Sequence, residues 1–214
     1  SVFVHLEKRG NKIVMIIIII YNSSLYKHSF KHKMTKKFSL VLSLLFSLFS
    51  WAELPEMVIA EERIPAGISF VFEGAIKDSV YPVTDFDQED KSDIHIEVLA
   101  NWNENAPAGS PIDGFVAYLR INALIINQRS KEENLINLLP HVNLSDNFHY
   151  ALNTKLPGKR SDLYTVRFLI QPPKPGTVGI HFDWKDKVGS ILPNEYSFEY
   201  RDLNFEKIAN SSRR

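Results

Sequence analysis

Asp93-Ile94-His95-Ile96-Glu97-Val98 is the stretch from which the rest of the chain is interpreted. In an extended strand successive side chains point to opposite faces, so His95 and Glu97 share one face and the three apolar residues share the other. The apolar face needs a core. The polar face carries an imidazole and a carboxylate about 7 Å apart along the strand, at roughly 3.3 Å per residue. Both groups suit a borderline divalent metal, and the alternative is an ordinary solvent-facing strand.

The two parts of the chain carry opposite charge, although the 214 residues together have a net charge of zero. Residues 1–52 contain eight Lys or Arg and one acidic residue, whereas residues 53–214 contain 17 Lys or Arg and 24 Asp or Glu. An acidic body opposes a nucleic-acid partner, because phosphate binding needs a positive surface. It favours cations.

A secretory signal peptide is predicted at residues 34–52. Met34-Thr35-Lys36-Lys37 is a short basic segment, residues 38–49 are an apolar run, and Ser50-Trp51-Ala52 supplies small residues before a cleavage site. The apolar run is too short for a membrane span of about 20 residues. A buried core helix is the alternative. Residues 1–33, which begin with Ser and contain five consecutive isoleucines, are predicted to be an unstructured upstream extension wrongly included in the translated sequence.

The chain contains no cysteine, so neither a disulfide nor a cysteine-linked lipid anchor can form. After signal cleavage we therefore expect a soluble periplasmic protein that is not membrane-anchored. Residues 53–214 are long enough for one domain with a single core.

The mature part is predicted to be all-β. Short apolar or alternating runs are separated by Pro, Gly, Asn and Asp, without a convincing helical period. This pattern predicts one antiparallel β-sandwich domain of immunoglobulin type. The runs cover residues 67–73, 93–98, 115–126, 135–139, 163–170, 178–184 and 196–200. An acidic loop at residues 85–90 is interpreted as a solvated turn or as a feature that draws cations toward the His95 strand.

The mature part contains four histidines, His95, His141, His149 and His181, each within or beside a predicted strand. Imidazole is the commonest metal ligand at neutral pH, so a shared site is one hypothesis. Four separate structural histidines are the other, because the spacing leaves their convergence to the fold.

Several motifs together resemble the bacterial periplasmic iron-transport protein family, whose members are encoded with an inner-membrane iron permease. Relatives of that family include a treponemal lactoferrin-binding lipoprotein. The resemblance covers about residues 64–205. The motifs, in order, are Asp93-Ile94-His95-Ile96-Glu97, Tyr118-Leu119-Arg120-Ile121, His149-Tyr150-Ala151-Leu152-Asn153, Ile170-Gln171-Pro172-Pro173 and His181-Phe182-Asp183.

The resemblance implies an immunoglobulin-like sandwich, usually a homodimer, with a copper site near the dimer interface and a role in iron uptake. His95 and Glu97 match the family's His-x-Glu motif, and His149 matches the histidine of its His-Tyr-Gly-x-Asn motif. His181 matches one histidine of a His-x-His-x-Asp stretch.

This chain departs from the family pattern at three places. The family has a methionine ligand shortly before its His-Tyr motif, whereas here no methionine follows Met57; one inserted residue after Pro140 would place His141 there. Ala151 replaces the motif glycine, and Gly179 replaces one of the paired histidines. An imidazole in place of a thioether weakens the preference for Cu(I) and suits Cu(II) or Zn(II).

The leading functional hypothesis is a non-enzymatic periplasmic protein that binds copper or zinc and acts with the inner-membrane permease, iron being the transported ion. Its predicted metal-binding residues are His95, Glu97, His141, His149 and His181. The alternatives are a secreted immunoglobulin-like structural or adhesion module with no metal role and a metal-dependent oxidase. Nucleophile sets of the Ser/His/Asp or Cys/His kind and a Gly-rich phosphate loop are not recognisable, which disfavours an enzyme.

Overall fold

A computed structural model describes residues 2–9, 12–19, 56–85 and 87–213 of the chain. The chain divides into two compact units, residues 1–52 and 53–214. In the first unit, strands β1 (Val2–Arg9) and β2 (Lys12–Ile19) form an antiparallel hairpin. This hairpin differs from the unstructured segment predicted for residues 1–33; β-branched isoleucine favours extended backbone. The predicted signal peptide at 34–52 lies outside the described residues.

The second unit contains eight strands that form one antiparallel sheet in the order β10-β9-β6-β7-β8-β5-β4-β3. The strands are β3 (Met57–Ile64), β4 (Ile68–Ala75), β5 (Ile94–Trp102), β6 (Arg120–Asn127), β7 (Glu133–Asn143), β8 (Asn147–Thr154), β9 (Leu163–Gln171) and β10 (Tyr196–Asn204). Three short helical segments accompany them, at Glu89–Lys91, Phe182–Lys187 and Glu206–Ala209.

Strand β7 connects the two halves of this sheet. Its residues 133–138 pair with β6, and its residues 139–143 pair with β8. The change of partner occurs between Leu138 and Leu139, so one long strand belongs to the half formed with β6, β9 and β10 and also to the half formed with β8, β5, β4 and β3.

The two halves pack against each other through an aromatic core. Phe72 on β4 lies 4.5 Å from Phe168 on β9 and 5.4 Å from Phe198 on β10, measured between ring centroids. These strands are not neighbours in the sheet, so the contacts join opposite halves. Phe72 and Phe168 are fully buried. The apolar face of β5 contributes Ile94, Ile96 and Val98 to the same core, as the alternation predicts.

The predicted all-β antiparallel architecture is confirmed, while its immunoglobulin type stays a prediction. The predicted strand over residues 178–184 is wrong. A helix begins there at Phe182, and the Asp183 carboxylate accepts a hydrogen bond from the Trp184 backbone N–H. An acidic residue in a first helical turn satisfies free N–H groups and favours helix initiation, which outweighs the apolar pattern here.

Phe72→Ala should lower the free energy of unfolding by about 3–5 kcal/mol, because it removes a fully buried ring from the contact between the two halves. Urea unfolding followed by circular dichroism measures the change. Leu144→Ala is the control, because the Leu144 side chain is fully exposed and its loss should cost less than about 0.5 kcal/mol. Equal effects of the two substitutions would contradict the assigned core.

Candidate metal centre

Three neighbouring strands, β7, β8 and β5, bring polar side chains together on one face of the sheet. His95 and Glu97 lie on the same face of β5, with Asn153 and Ala151 of β8 directly opposite them. On the next strand, β7, His141 is the register partner of His149. The sheet therefore brings residues that are far apart in sequence into one neighbourhood. Alternation along β8 puts His149, Ala151 and Asn153 on this same face.

The three histidines form a compact group of possible metal ligands. One ring nitrogen from each of His95, His141 and His149 lies within 4.8 Å of the others. The ring centroids of His95 and His141 are 5.4 Å apart, and those of His141 and His149 are 6.0 Å apart. His95 and His149 are 3% and 2% exposed, and the His141 side chain is 11% exposed. This is a largely buried cluster rather than a surface coincidence.

Asn153 fixes the tautomer of His95. The Asn153 Oδ1 atom lies 2.9 Å from His95 Nδ1, while Asn153 Nδ2 donates to the backbone carbonyl of Asp78 at 2.7 Å. Because the amide nitrogen is committed to that carbonyl, the oxygen faces the imidazole and accepts its Nδ1–H. The lone pair of His95 is thereby on Nε2, available to a metal.

His149 is anchored in the same way. Its Nδ1 lies 3.1 Å from the backbone carbonyl oxygen of Asn147, which can only accept a hydrogen bond. The lone pair of His149 is then also on Nε2. Both Nε2 atoms approach the Glu97 carboxyl group, at 3.7 Å from His95 and 3.8 Å from His149. These distances exceed a hydrogen bond. The Nε2 lone pairs of His95 and His149 therefore both lie close to the Glu97 carboxyl group.

Burial favours the uncharged forms of His95 and Glu97 in the absence of metal. The pKa of His95 is lowered to about 3, chiefly by burial, because the imidazolium would lose its hydration. The hydrogen bond with Asn153 opposes this decrease, and nearby His141 contributes to it. The pKa of Glu97 is raised to about 8, chiefly by burial and to a smaller extent by nearby Asp146 and Glu73. At neutral pH His95 is a neutral imidazole and Glu97 a carboxylic acid. Their 3.7 Å contact is therefore not an ion pair.

His141 occupies a different environment from the other two rings. Its Nε2 lies 3.3 Å from Oδ2 of Asp87, which belongs to the connection between β4 and β5. Burial lowers the pKa of His141, the Asp87 carboxylate opposes that decrease, and neighbouring His149 adds to it. His141 is thus a neutral ring with a carboxylate partner.

The predicted metal-binding residues are only partly brought together. His95, His141 and His149 form the cluster, and Glu97 contacts two of its rings. His181 is exposed and directly precedes the helix Phe182–Lys187; it is not a member of the cluster. Its assignment as a ligand stays a prediction.

Sequence reasoning missed two residues that orient the rings. Asn153 ends the motif that begins at His149, and no function is predicted for it from the sequence. Because it lies four residues after His149, strand alternation already predicts that both side chains share one face. Asp87 was one of several acids in the loop at residues 85–90, and only the folded loop distinguishes it from the others. Within the described residues, no helix has the length and apolar character needed to cross a membrane.

The sequence profile described as Fe²⁺ transport protein matches residues 53–206. No curated protein matches the chain significantly. Solved structures share its fold. FetP from uropathogenic Escherichia coli, recombinantly expressed in the periplasm, has a TM-score of 0.56 and 21% identity, over 70% of this chain and 97% of FetP. Copper-reconstituted P19 from Campylobacter jejuni has a TM-score of 0.58 and 19% identity, over 69% of this chain and 94% of P19.

The buried Glu97 predicts a measurable pH dependence of stability in the metal-free protein. Its pKa is about 8 in the folded state and 4.5 in the ordinary state, so only the unfolded chain releases this proton as pH rises between those values. Stability is therefore lost across this range. Glu97→Gln removes this pH-dependent loss of stability. Its stabilising effect should therefore be larger at pH 8 than at pH 5, by on the order of 3 kcal/mol.

Thermal unfolding in EDTA at both pH values tests this prediction. Glu133→Gln is the matched control, because Glu133 is exposed on β7 and its replacement should change stability equally at pH 5 and pH 8. A Glu97→Gln effect that does not depend on pH would show that the carboxyl group is ionised in the folded protein.

Proposed function

Because the chain belongs to the Fe²⁺ transport protein family, we propose that it is a periplasmic protein that binds a copper-type metal and takes part in iron uptake. The observation that carries this proposal is the cluster of His95, His141 and His149, whose ring nitrogens lie within reach of one ion. Iron is the transported ion, and the cluster holds the resident metal. The protein acts without enzymatic turnover, as a binding partner of an inner-membrane iron permease.

The donor set fits a borderline transition metal. Three imidazoles and a carboxyl group suit Cu(II) or Zn(II), whereas Mg²⁺ and Ca²⁺ prefer oxygen ligands alone. Two of the rings present Nε2 lone pairs that are already oriented by hydrogen bonds on Nδ1, an arrangement typical of metal-binding histidines. FetP and P19 have both been solved with copper bound, which supports copper as the ion here.

His141 adapts the site to a divalent ion. The family resemblance places a methionine ligand near this position, and a thioether favours Cu(I). The imidazole of His141 lies against a carboxylate instead. We therefore expect this chain to prefer Cu(II) or Zn(II) over Cu(I).

Glu97 completes the set as a proton-coupled ligand. Its carboxyl group contacts the Nε2 side of His95 and His149, and its pKa lies near 8 because of burial and neighbouring carboxylates. An ion held by the imidazoles would stabilise the carboxylate form. Metal binding would then release the Glu97 proton to solvent. The carboxylate charge that results would be balanced by the ion.

A homodimer would give His181 access to a shared site. His181 is exposed, and it lies beside apolar surface that includes Ile180 at 41% and Phe182 at 81% exposure. The hairpin that carries His141 and His149 also exposes an aromatic ring, Phe148, at 51%. Apolar surface of this kind supports association with a second copy.

Isothermal titration should show saturable binding of Cu(II) and Zn(II) to the purified protein. His149→Ala and His141→Ala should each weaken it by roughly tenfold or more, since even residues that only orient a ligand are worth 10–100-fold. Asn137→Ala, an exposed polar position on β7, should leave the affinity unchanged. Unchanged binding in His141→Ala would place that ring outside the site, and absence of binding in the parent protein would favour the structural or adhesion module.

Native mass spectrometry of the protein from a periplasmic extract tests processing and assembly together. We expect a homodimer of chains that begin at Glu53, because the signal peptide is predicted to be cleaved after Ala52. Detection of any residue before Met34 would contradict the predicted upstream extension. A monomer at micromolar concentration would contradict the dimer without bearing on cleavage.

A further inference from the structure

One acidic side chain in the connection between β4 and β5 is buried at the metal centre. Asp87 is 4% exposed, its Oδ1 accepts a hydrogen bond from the Asn153 backbone N–H at 2.8 Å, and its Oδ2 lies 3.3 Å from His141 Nε2. A buried carboxylate is costly unless such donors surround it. Asp85 and Asp90 of the same loop are exposed, whereas Asp87 is buried beside His141.

The sheet leaves one backbone N–H of β8 without a strand partner, and Asp87 accepts its hydrogen bond. Strand β8 pairs with β7 only as far as the partners Ala151 and Leu139, because β7 then turns toward β6. The backbone N–H of Asn153 therefore lies beyond the last β7 partner and needs another acceptor. Asp87 provides it. This hydrogen bond fixes one oxygen of the carboxylate and leaves the second beside His141.

We propose that Asp87 is a positioning residue of the metal centre, which orients His141 as a ligand and favours a divalent ion over Cu(I). The proposal rests on the metal-binding function proposed above. The negative charge of the Asp87 carboxylate, 3.3 Å from Nε2 of His141, favours the tautomer that carries its proton on Nε2 and its lone pair on Nδ1. Carboxylate–histidine–metal arrangements hold the ring in place and make it a stronger ligand.

Charge gives this residue a second effect on metal selection. The attraction between a carboxylate and a cation is proportional to the charge of the cation. Removing the negative charge of Asp87 should therefore weaken Cu(II) binding about twice as much as Cu(I) binding on a logarithmic scale. A residue that only maintained the shape of the loop would affect the two ions alike.

Asp87→Asn is the informative substitution, because the amide oxygen can still accept the Asn153 N–H while the charge is lost. Competition titrations of the full chain should show Cu(II) affinity reduced by about 10–100-fold, with a smaller loss for Cu(I). Asp90→Asn, the same change at an exposed position, should leave both affinities within about threefold of the parent protein, as expected for a screened surface charge. Thermal unfolding in EDTA checks that each variant is folded, and Asp87→Ser replaces Asp87→Asn if the latter is not.

A double-mutant cycle separates action through His141 from a general effect on the loop. In a His141→Ala background, Asp87→Asn should lower Cu(II) affinity less than it does in the parent protein, because the ring that it orients is absent and only the direct attraction between its charge and the ion remains. An undiminished effect in that background, or parent-like affinity of Asp87→Asn alone, would overturn the positioning role and leave the metal-binding function intact. A parent protein that binds neither ion would instead overturn the proposed function, and the role of Asp87 with it.

Discussion

The burial of imidazole rings beside a carboxyl group is the constraint on which the site depends. Polar groups lose hydration when a sheet face is covered, and each must find a partner in the protein. His95 and His149 each satisfy one nitrogen, through Asn153 and the Asn147 carbonyl, and turn the other toward Glu97. An apolar face would pack without these requirements. The proposed metal binding would compensate this lost hydration, because an ion could accept the remaining lone pairs.

The architecture supplies the convergence that the chain order does not. His95 and His149 are joined by the β5–β8 pairing, whereas His141 reaches them because β7 leaves β6 and pairs with β8 over its last five residues. Because β7 leaves β8 at this point, the Asn153 backbone N–H has no β7 partner. It donates its hydrogen bond to the Asp87 carboxylate instead. One change of strand partner therefore brings His141 into the histidine cluster and also creates the anchor for the carboxylate beside it.

The features that depend on strand alternation were predictable from the residues. The shared face of His95 and Glu97, the buried face of Ile94 and Ile96, and the all-β class all depend on a period of two that is visible in the chain itself. The register that pairs His141 with His149 could not be obtained in this way. It depends on the turn between Asn143 and Asn147, where Asn143 Oδ1 accepts two backbone N–H groups and Asn147 adopts a positive φ of 62°. The role of Asp87 likewise depends on an irregular loop.

A crystal structure of the copper-loaded protein, with anomalous scattering collected at the copper edge, would show directly whether the three rings hold an ion. We expect one strong peak at bonding distance, about 2.0–2.1 Å as for imidazole nitrogen on zinc, from ring nitrogens of His95, His141 and His149. A peak bound to surface residues, with these three rings unchanged and away from the ion, would contradict this expectation.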